Sequence, residues 1–438
     1  MNRIKSIYTF ISIIKDLLII FLIYFTEFNN IVNEFPSLLT TSILILYWLL
    51  FNYVLGQYES KFRNLKEKII SNVFNTLIVL ISANIIYILI NLITDQVNIS
   101  ISDFYIFINI ISKIFICIFI SQTLIDIFIN KNLIENNKWL IISNEKIYNM
   151  LLDLNSQFNE NYKIIRIEKN NFDIKGLKGL IFDENSTLND KELKLYSKIK
   201  NQNLEILNVL KWYEKYLQIS PPDLHSFNDM LTIESYLDLN NINFRIKRIG
   251  DIFLSLFLLL TLLPIIMLII ICLLIFQGKP IFYSQVRTGL YGKPIKINKF
   301  RTMIINAESN GPQWSVKNDQ RVTLIGKILR KYRLDEIPQL INVIKGDMSL
   351  IGPRPERPEF DKELNRSIRN YIFRYSIKPG LSGWAQVNYH YSSNLNDAIN
   401  KVSYDIYYIK YQSIYLDFLI LFRTLKIVFK ARGWVSKK

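Results

Sequence analysis

The chain is poor in the residues that most often carry the chemistry of soluble enzymes. Its 438 residues include only two cysteines, Cys117 and Cys272, and two histidines, His225 and His390. Both cysteines lie inside long apolar runs, which excludes a disulfide framework and a cysteine-built zinc site. Two histidines are too few for His-rich metal ligation and leave little room for a Ser-His-Asp triad. Glycine is scarce as well, at 14 residues. Acidic residues are few in the second half: residues 245–438 hold 31 Lys and Arg against 13 Asp and Glu, net +18, whereas residues 1–244 hold 22 against 24, net −2. Chemistry is thereby left to carboxylates, lysine and arginine. The basic half suits anionic lipid, a phosphorylated ligand or nucleic acid.

Apolar residues are abundant, half of the total, and they come in runs. Four stretches, 7–24, 38–55, 69–93 and 104–129, approach or reach the ~20 residues that cross a bilayer as a helix. Lys61, Arg63, Lys66 and Lys68 follow the second stretch, and Lys131 and Lys138 follow the fourth. The other two connections carry Glu27, Glu34, Asp95 and Asp103 and no basic residue. The positive-inside rule then places the N-terminus and everything after residue 130 on the cytoplasmic face. Lys113 and Asp126, inside the fourth stretch, are either functional or, the favoured reading, snorkel toward a helix end.

Past residue 136 the texture changes. Short apolar runs at 139–143, 163–167 and 179–182 alternate with polar, helix-like segments, the rhythm of βα units around a parallel sheet. A small Rossmann-like domain over 137–218 is expected. The first strand-to-helix turn, Ile142-Ser143-Asn144-Glu145, has no glycine, so a structural or regulatory role is favoured over nucleotide binding. Ser220-Pro221-Pro222-Asp223 breaks the chain, and Leu224, Phe227, Leu231 and Leu237 then recur at helical spacing, so 219–244 reads as a linker with an amphipathic helix.

Residues 252–276 carry no charge, yet Arg245, Lys247 and Arg248 precede them and Lys279 follows. A plain fifth span would carry the basic half across the membrane. Pro264 near the midpoint removes a helix hydrogen bond, so a re-entrant helix-break-helix over about 249–276 is expected instead. Asp251, one turn after Lys247 and Arg248, is placed to pair with them at head-group level. Residues 415–429, with Arg423, Lys426 and Lys430 at helical spacing, read as a basic amphipathic helix at the interface, or else as a core helix.

Two clusters bear chemistry. Lys299 and Arg301 bracket Phe300, and Arg330 precedes the adjacent carboxylates Asp335 and Glu336. Amid cations, both carboxyls are expected to have lowered pKa values and to be ionised at neutral pH. An ionised carboxylate is a nucleophile toward phosphorus and a ligand for Mg²⁺. Lys299, Arg301, Arg330 and Arg354 suit a diphosphate. Taken alone, the Asp-Glu pair is better read as a solvated helix N-terminus.

The order of motifs from about residue 244 onward is more specific. It runs Lys247-Arg248 with Asp251, Pro264, Pro280-Ile281-Phe282 with Gln285 and Arg287, Lys299-Phe300-Arg301, Leu334-Asp335-Glu336-Ile337-Pro338-Gln339, Gly346-Asp347-Met348-Ser349, Gly352-Pro353-Arg354-Pro355, Lys378-Pro379-Gly380 and Gly383-Trp384-Ala385-Gln386-Val387-Asn388. In this it resembles the bacterial sugar transferases, the monotopic phosphoglycosyl transferases that begin exopolysaccharide, capsule and O-antigen assembly. The four apolar stretches and the Rossmann-like middle resemble the long members of that family.

The resemblance implies a membrane protein with four transmembrane helices over 1–136, the Rossmann-like α/β domain, and an α+β catalytic domain over 245–438 with a re-entrant helix and interfacial amphipathic helices. It implies that Asp335 attacks the sugar-bearing phosphate of a UDP-sugar, UDP-glucose or UDP-galactose, releasing UMP. Undecaprenyl phosphate then takes the phosphosugar from the aspartate. Glu336 would help to hold Mg²⁺, while Lys299, Arg301, Arg330, Gln339, Pro353, Arg354 and Pro355 would line the phosphate site. Trp384, Gln386 and Asn388 would bind substrate or support the fold, and His390 is expected to be structural. Pro264 would break the re-entrant helix, and Lys247, Arg248 and Asp251 would anchor it. The implied setting is the bacterial inner membrane, multi-pass, with a cytoplasmic catalytic domain, lipid contacts and a homodimer. Arg333 departs from the small residue common two positions before the aspartate. A membrane glycosyltransferase releasing UDP and a non-catalytic scaffold stay open as alternatives. Nucleic-acid binding is disfavoured, because the cations adjoin membrane segments and no nucleic-acid motif is present.

Overall fold

The computed structural model describes residues 2–28, 47–49, 52–53, 72–73, 75–76, 79, 101–134, 138–157, 162–166, 176–183, 190–202, 204–235, 242–307, 311, 319–389 and 395–429. The chain divides into two compact units, Met1–Leu217 and Gln218–Lys438.

The first unit begins with two long helices, α1 (Asn2–Phe28) and α2 (Ile101–Ile134). Among the described residues no single helix is long and apolar enough to cross a membrane. The expected stretches at 38–55 and 69–93 lie largely outside the described residues, and four spans are not shown. Lys113 is exposed, but Asp126 does not snorkel. It is buried and accepts hydrogen bonds from Asn72 Nδ2 at 2.8 Å, from Gln122 Nε2 at 3.3 Å and from Tyr8 Oη. The physical reason is that polar groups recur on one face of α1. Lys15 donates to Gln122 Oε1 at 2.8 Å and pairs with Asp16 at 2.9 Å, so the carboxylate finds donors inside the packing.

A four-stranded parallel sheet follows, built from β1 (Lys138–Ile142), β2 (Lys163–Arg166), β3 (Leu177–Phe182) and β4 (Glu205–Asn208) in the order β2-β1-β3-β4. Helices α3 (Glu145–Gln157) and α4 (Asp190–Asn201) connect its strands. Leu140, Ile142, Leu177, Leu180 and Ile199 form the core. At the β1–α3 turn, Asn144 Oδ1 accepts from Ile147 N at 2.9 Å. A side-chain cap thus occupies the place where a phosphate-binding loop would offer bare N–H groups.

The second unit opens on α5 (Phe227–Ser235), whose Met230 packs against Leu364, Ile368, Tyr371, Phe373, Val402 and Ile406. The apolar pair α6 (Ile242–Thr261) and α7 (Leu263–Gln277) is bent by 60°. Pro264 stands in the first turn of α7, where its missing N–H costs least and where the preceding helix cannot continue through it. Phe253, Leu260, Ile275 and Phe276 are exposed on this pair.

The expected pairing of Asp251 with Lys247 and Arg248 is not formed. Lys247 Nζ meets Asp417 at 2.7 Å, and Arg248 donates to the Val343 and Ile344 carbonyls at 2.5 and 2.7 Å. Asp251 is buried and accepts from Ser349 Oγ at 2.7 Å and Leu350 N at 3.3 Å. The reason is steric and electrostatic at once. One helix face packs on the next elements, and each polar side chain there satisfies a buried partner rather than its neighbour one turn away.

Beyond the pair come the antiparallel hairpin β5 (Phe282–Thr288) and β6 (Pro294–Phe300), then α8 (Leu324–Lys331) and α9 (Leu340–Lys345). The parallel pair β7 (Ser349–Ile351) and β8 (Gly380–Ser382) brackets α10 (Pro358–Ser367). Three helices close the unit: α11 (Trp384–Asn388), α12 (Leu395–Lys410) and α13 (Ile414–Phe429).

Candidate active site

The Asp-Glu pair sits on a 3-10 turn, Leu334–Gln339, wedged between α8 and α9. Arg333 enters it at φ 55°, a left-handed conformation that is uncommon for a residue with a side chain. The turn is not a solvated helix end, because Asp335 through Gln339 are all buried.

Glu336 is the electrostatic hub. Its Oε1 accepts from Arg354 Nη2 at 2.7 Å and from Lys299 Nζ at 3.0 Å. Burial pushes its carboxyl up, but Arg354, Lys299 and Arg333 more than offset that and hold it well below the usual carboxylate range. Asp335 behaves differently, which corrects the expectation of two lowered carboxyls. Burial raises its carboxyl first, and the Glu336 charge raises it further, against Lys299, Arg330 and Arg354. Among the described residues no hydrogen bond ties down the Asp335 side chain, which keeps 8% of its surface exposed.

The remaining expected residues fall into three places. Arg330 stands at the end of α8, where it lowers Asp335 electrostatically and donates from Nε to Thr302 Oγ1 at 2.8 Å. Thr302 in turn follows Arg301, the residue that departs most from its expected setting. Arg301 donates to the Gln277 and Gly278 carbonyls at 2.5 and 2.9 Å, capping the C-terminus of α7. Its partners are these two carbonyls and the Gln277 side-chain oxygen, which accepts from Nε at 3.5 Å, and not the Asp-Glu turn. Gln339 is buried within the turn, and among the described residues its Nε2 has no partner. Pro353 and Pro355 flank Arg354 in the loop after β7. There, Gly352 and Gly380 approach so closely that a side chain on either would strike the other's backbone.

Trp384, Gln386 and Asn388 form a separate cluster. Trp384 is buried and donates from Nε1 to Gln218 O at 3.0 Å, with the Arg423 guanidinium 4.6 Å from its ring centre. Gln386 Nε2 reaches Leu381 O at 3.5 Å, Asn388 Nδ2 donates to Trp384 O at 2.9 Å, and Arg423 donates to Asn388 Oδ1. These contacts fasten α13 to the unit. Tyr415, Phe418 and Phe422 of α13 are exposed. His390 lies outside the described residues.

The sequence does not single out Thr302, Gln277 or Arg374, and it marks Arg423 only as a cation of an amphipathic helix, not as a partner of Trp384 and Asn388. None carries a motif of its own, and each matters through a partner that only the folded chain brings near.

Residues 242–431 match the bacterial sugar transferase family, and the chain belongs to it. The chain is 45% identical over 154 residues to a UDP-N-acetylgalactosamine-undecaprenyl-phosphate N-acetylgalactosaminephosphotransferase of Aeromonas hydrophila, covering 35% of this chain and 36% of that one. It is 39% identical over 201 residues to a UDP-glucose:undecaprenyl-phosphate glucose-1-phosphate transferase of Klebsiella pneumoniae, covering 45% and 42%. It is 37% identical over 188 residues to the uncharacterized sugar transferase EpsL of Bacillus subtilis, covering 43% of this chain and 89% of that one. The matched stretch thus spans well under half the length of the first two relatives.

Proposed function

We propose that the protein transfers a sugar 1-phosphate from a UDP-sugar to undecaprenyl phosphate and releases UMP. The observation that carries this reading is the contrast within the Asp-Glu pair. Glu336 is clamped by two cations, while Asp335, one residue away, has no hydrogen bond among the described residues and faces the same cations.

An Asp335 carboxylate oxygen attacks the sugar-bearing phosphorus. The bond from that phosphorus to the bridging oxygen breaks, and UMP leaves with the electron pair. A phosphate oxygen of undecaprenyl phosphate then attacks the aspartyl phosphosugar and frees the carboxylate. Lys299, Arg330 and Arg354 neutralise the charge that gathers on the departing phosphate.

Mg²⁺ fits this donor set. Among the described residues no group of three or more His, Cys, Asp or Glu forms a cage. Mg²⁺ commonly takes only one or two carboxylates and completes its shell with substrate phosphates and water. Glu336, whose second carboxylate oxygen accepts no bond among the described residues, would hold it together with the diphosphate, and the ion would supply charge neutralisation there.

The bent pair α6–α7 reads as a re-entrant membrane helix that keeps this site at the interface. There a soluble nucleotide sugar meets a lipid-borne phosphate. The wider setting proposed is a multi-pass protein of the bacterial inner membrane with four N-terminal spans, a cytoplasmic site and a homodimeric state. Its product would begin an exopolysaccharide, capsule or O-antigen.

The test is nucleotide release by the full chain in lipid nanodiscs containing undecaprenyl phosphate and Mg²⁺. The donor panel is UDP-glucose, UDP-galactose and UDP-N-acetylgalactosamine. UMP release by the wild type, abolished in Asp335→Asn, is the expected result. UDP release would point instead to an ordinary glycosyltransferase.

A further inference from the structure

The loop that presents Arg354 is held by its carbonyls. Gly380 N donates to Pro353 O at 2.8 Å, and Arg374 Nη2 to Arg354 O at 2.9 Å. Arg287 Nη1 donates to Pro355 O at 3.4 Å, and Thr288 N to Glu356 O at 2.9 Å. Four consecutive carbonyls are thus each met by a donor from another segment. Two of the four residues are prolines, which have no N–H to offer in return.

One of those donors is unlike the others. The Arg374 guanidinium is almost wholly buried and pairs with buried Asp405 of α12 at 2.9 Å. Its Nη1 donates to Tyr371 Oη at 2.7 Å, and Tyr371 passes a hydrogen bond to Asp361 Oδ1 at 2.5 Å. Asp361 also accepts from the Thr288 hydroxyl. Burial of an ion pair carries a desolvation cost that its own attraction barely repays, so it is a poor source of net stability. Core packing therefore gives no reason for a charge at this position. Its placement does: Arg374 grips the backbone of the residue whose side chain reaches Glu336 Oε1 at 2.7 Å.

We propose that Arg374, charge-paired with Asp405, is a positioning residue that sets the main chain of Arg354 and so aims the Arg354 guanidinium at Glu336 and the donor diphosphate. The proposal rests on the sugar-phosphate transfer reading above. A planar guanidinium serves Asp405, Tyr371 and the Arg354 carbonyl simultaneously, whereas a lysine ammonium cannot reproduce that fork. Misplacement of a phosphate-binding group by about 1 Å costs up to about a hundredfold in rate.

The experiment is a double-mutant cycle on the full chain in nanodiscs, reading kcat/KM for UMP release beside thermal unfolding. Arg374→Lys keeps the charge. Arg374→Met combined with Asp405→Leu removes both charges, so no orphaned ion is left to unfold the protein. Each is made in the wild-type and in the Arg354→Ala background. The expected result is a loss of about tenfold or more in the wild-type background, shrinking to less than about threefold where Arg354 is already absent. An equal loss in both backgrounds, a loss that follows the melting temperature, or no loss would overturn the proposal. A wild type that releases no UMP from any UDP-sugar would overturn the transfer reading itself and the positioning role with it, and is distinguished because no variant is needed to see it.

Discussion

Arg354 and Glu336 meet at 2.7 Å on a single carboxylate oxygen, the same one that Lys299 reaches at 3.0 Å. The loop after β7 and the end of β6 are thereby tied to one atom of the 3-10 turn.

Glu336→Gln removes that shared acceptor charge and leaves two partly buried cations facing an amide. We expect a stability loss of about 1–3 kcal/mol and a fall in UMP release of about a hundredfold or more, read by thermal unfolding and nucleotide assay. Because its folded pKa lies below its unfolded value, the stability Glu336 contributes is present above the unfolded pKa and is lost as pH falls through the folded one. Activity within twofold of wild type would show that the clamp is no part of the site.

Asp335 titrates with the opposite sign. Its folded pKa is raised, so the folded chain binds a proton more readily than the unfolded one, and stability declines as pH rises through that window. Asp335→Asn is therefore expected to melt a few degrees above wild type at neutral pH while losing all UMP release, a trade of function against stability. The gain should shrink on acidification. A variant that melts lower than wild type at neutral pH would contradict the assignment.

Gly326, in the first turn of α8, lies where an added Cβ would strike the Thr302 carbonyl. Thr302 also takes the Arg330 hydrogen bond at 2.8 Å. Gly326→Ala is expected to destabilise by about 1–3 kcal/mol and, by moving α8 off the segment that follows β6, to raise the KM for the nucleotide sugar. An unchanged KM would show that α8 and Arg330 are not coupled through Thr302.

Asp251 is tied into the fold of the second unit by Ser349 and Leu350. Asp251→Ala strands Ser349 Oγ and Leu350 N, so a loss of about 1–3 kcal/mol is expected whatever the lipid composition. If melting instead depended on the fraction of anionic lipid, an anchoring role would be restored.

What could be read from the sequence was local. The parallel strands at 138–142, 163–166 and 177–182 announce themselves as short apolar runs, while β4 at 205–208 does not, because Glu205 and Asn208 break its pattern. The break at Pro264 follows from proline chemistry alone. The Asp335-Glu336 pair and its neighbouring cations were visible as a cluster, but their division of labour was not. That division depends on which carboxylate the cations touch, and Lys299 and Arg354 stand 37 and 18 positions away from Glu336 in the chain. Arg301 shows the same limit from the other side. Its place beside Lys299 suggested phosphate binding, yet the turn of the chain after β6 aims it at the end of α7.

The clamp on Glu336 also bears on how the site takes up and gives back its ligands. Lys299 and Arg354 each spend a hydrogen bond on Glu336 Oε1, and a diphosphate would compete for the same two cations. On the proposed reading, an arriving donor would draw Arg354 or Lys299 part of the way off Glu336, so docking would be an exchange of ionic partners and not a simple addition. Once the proposed UMP product left, the carboxylate would be there to reclaim its cations. The internal ion pair would thus act as a resident competitor for the donor and leave the cations compensated between rounds.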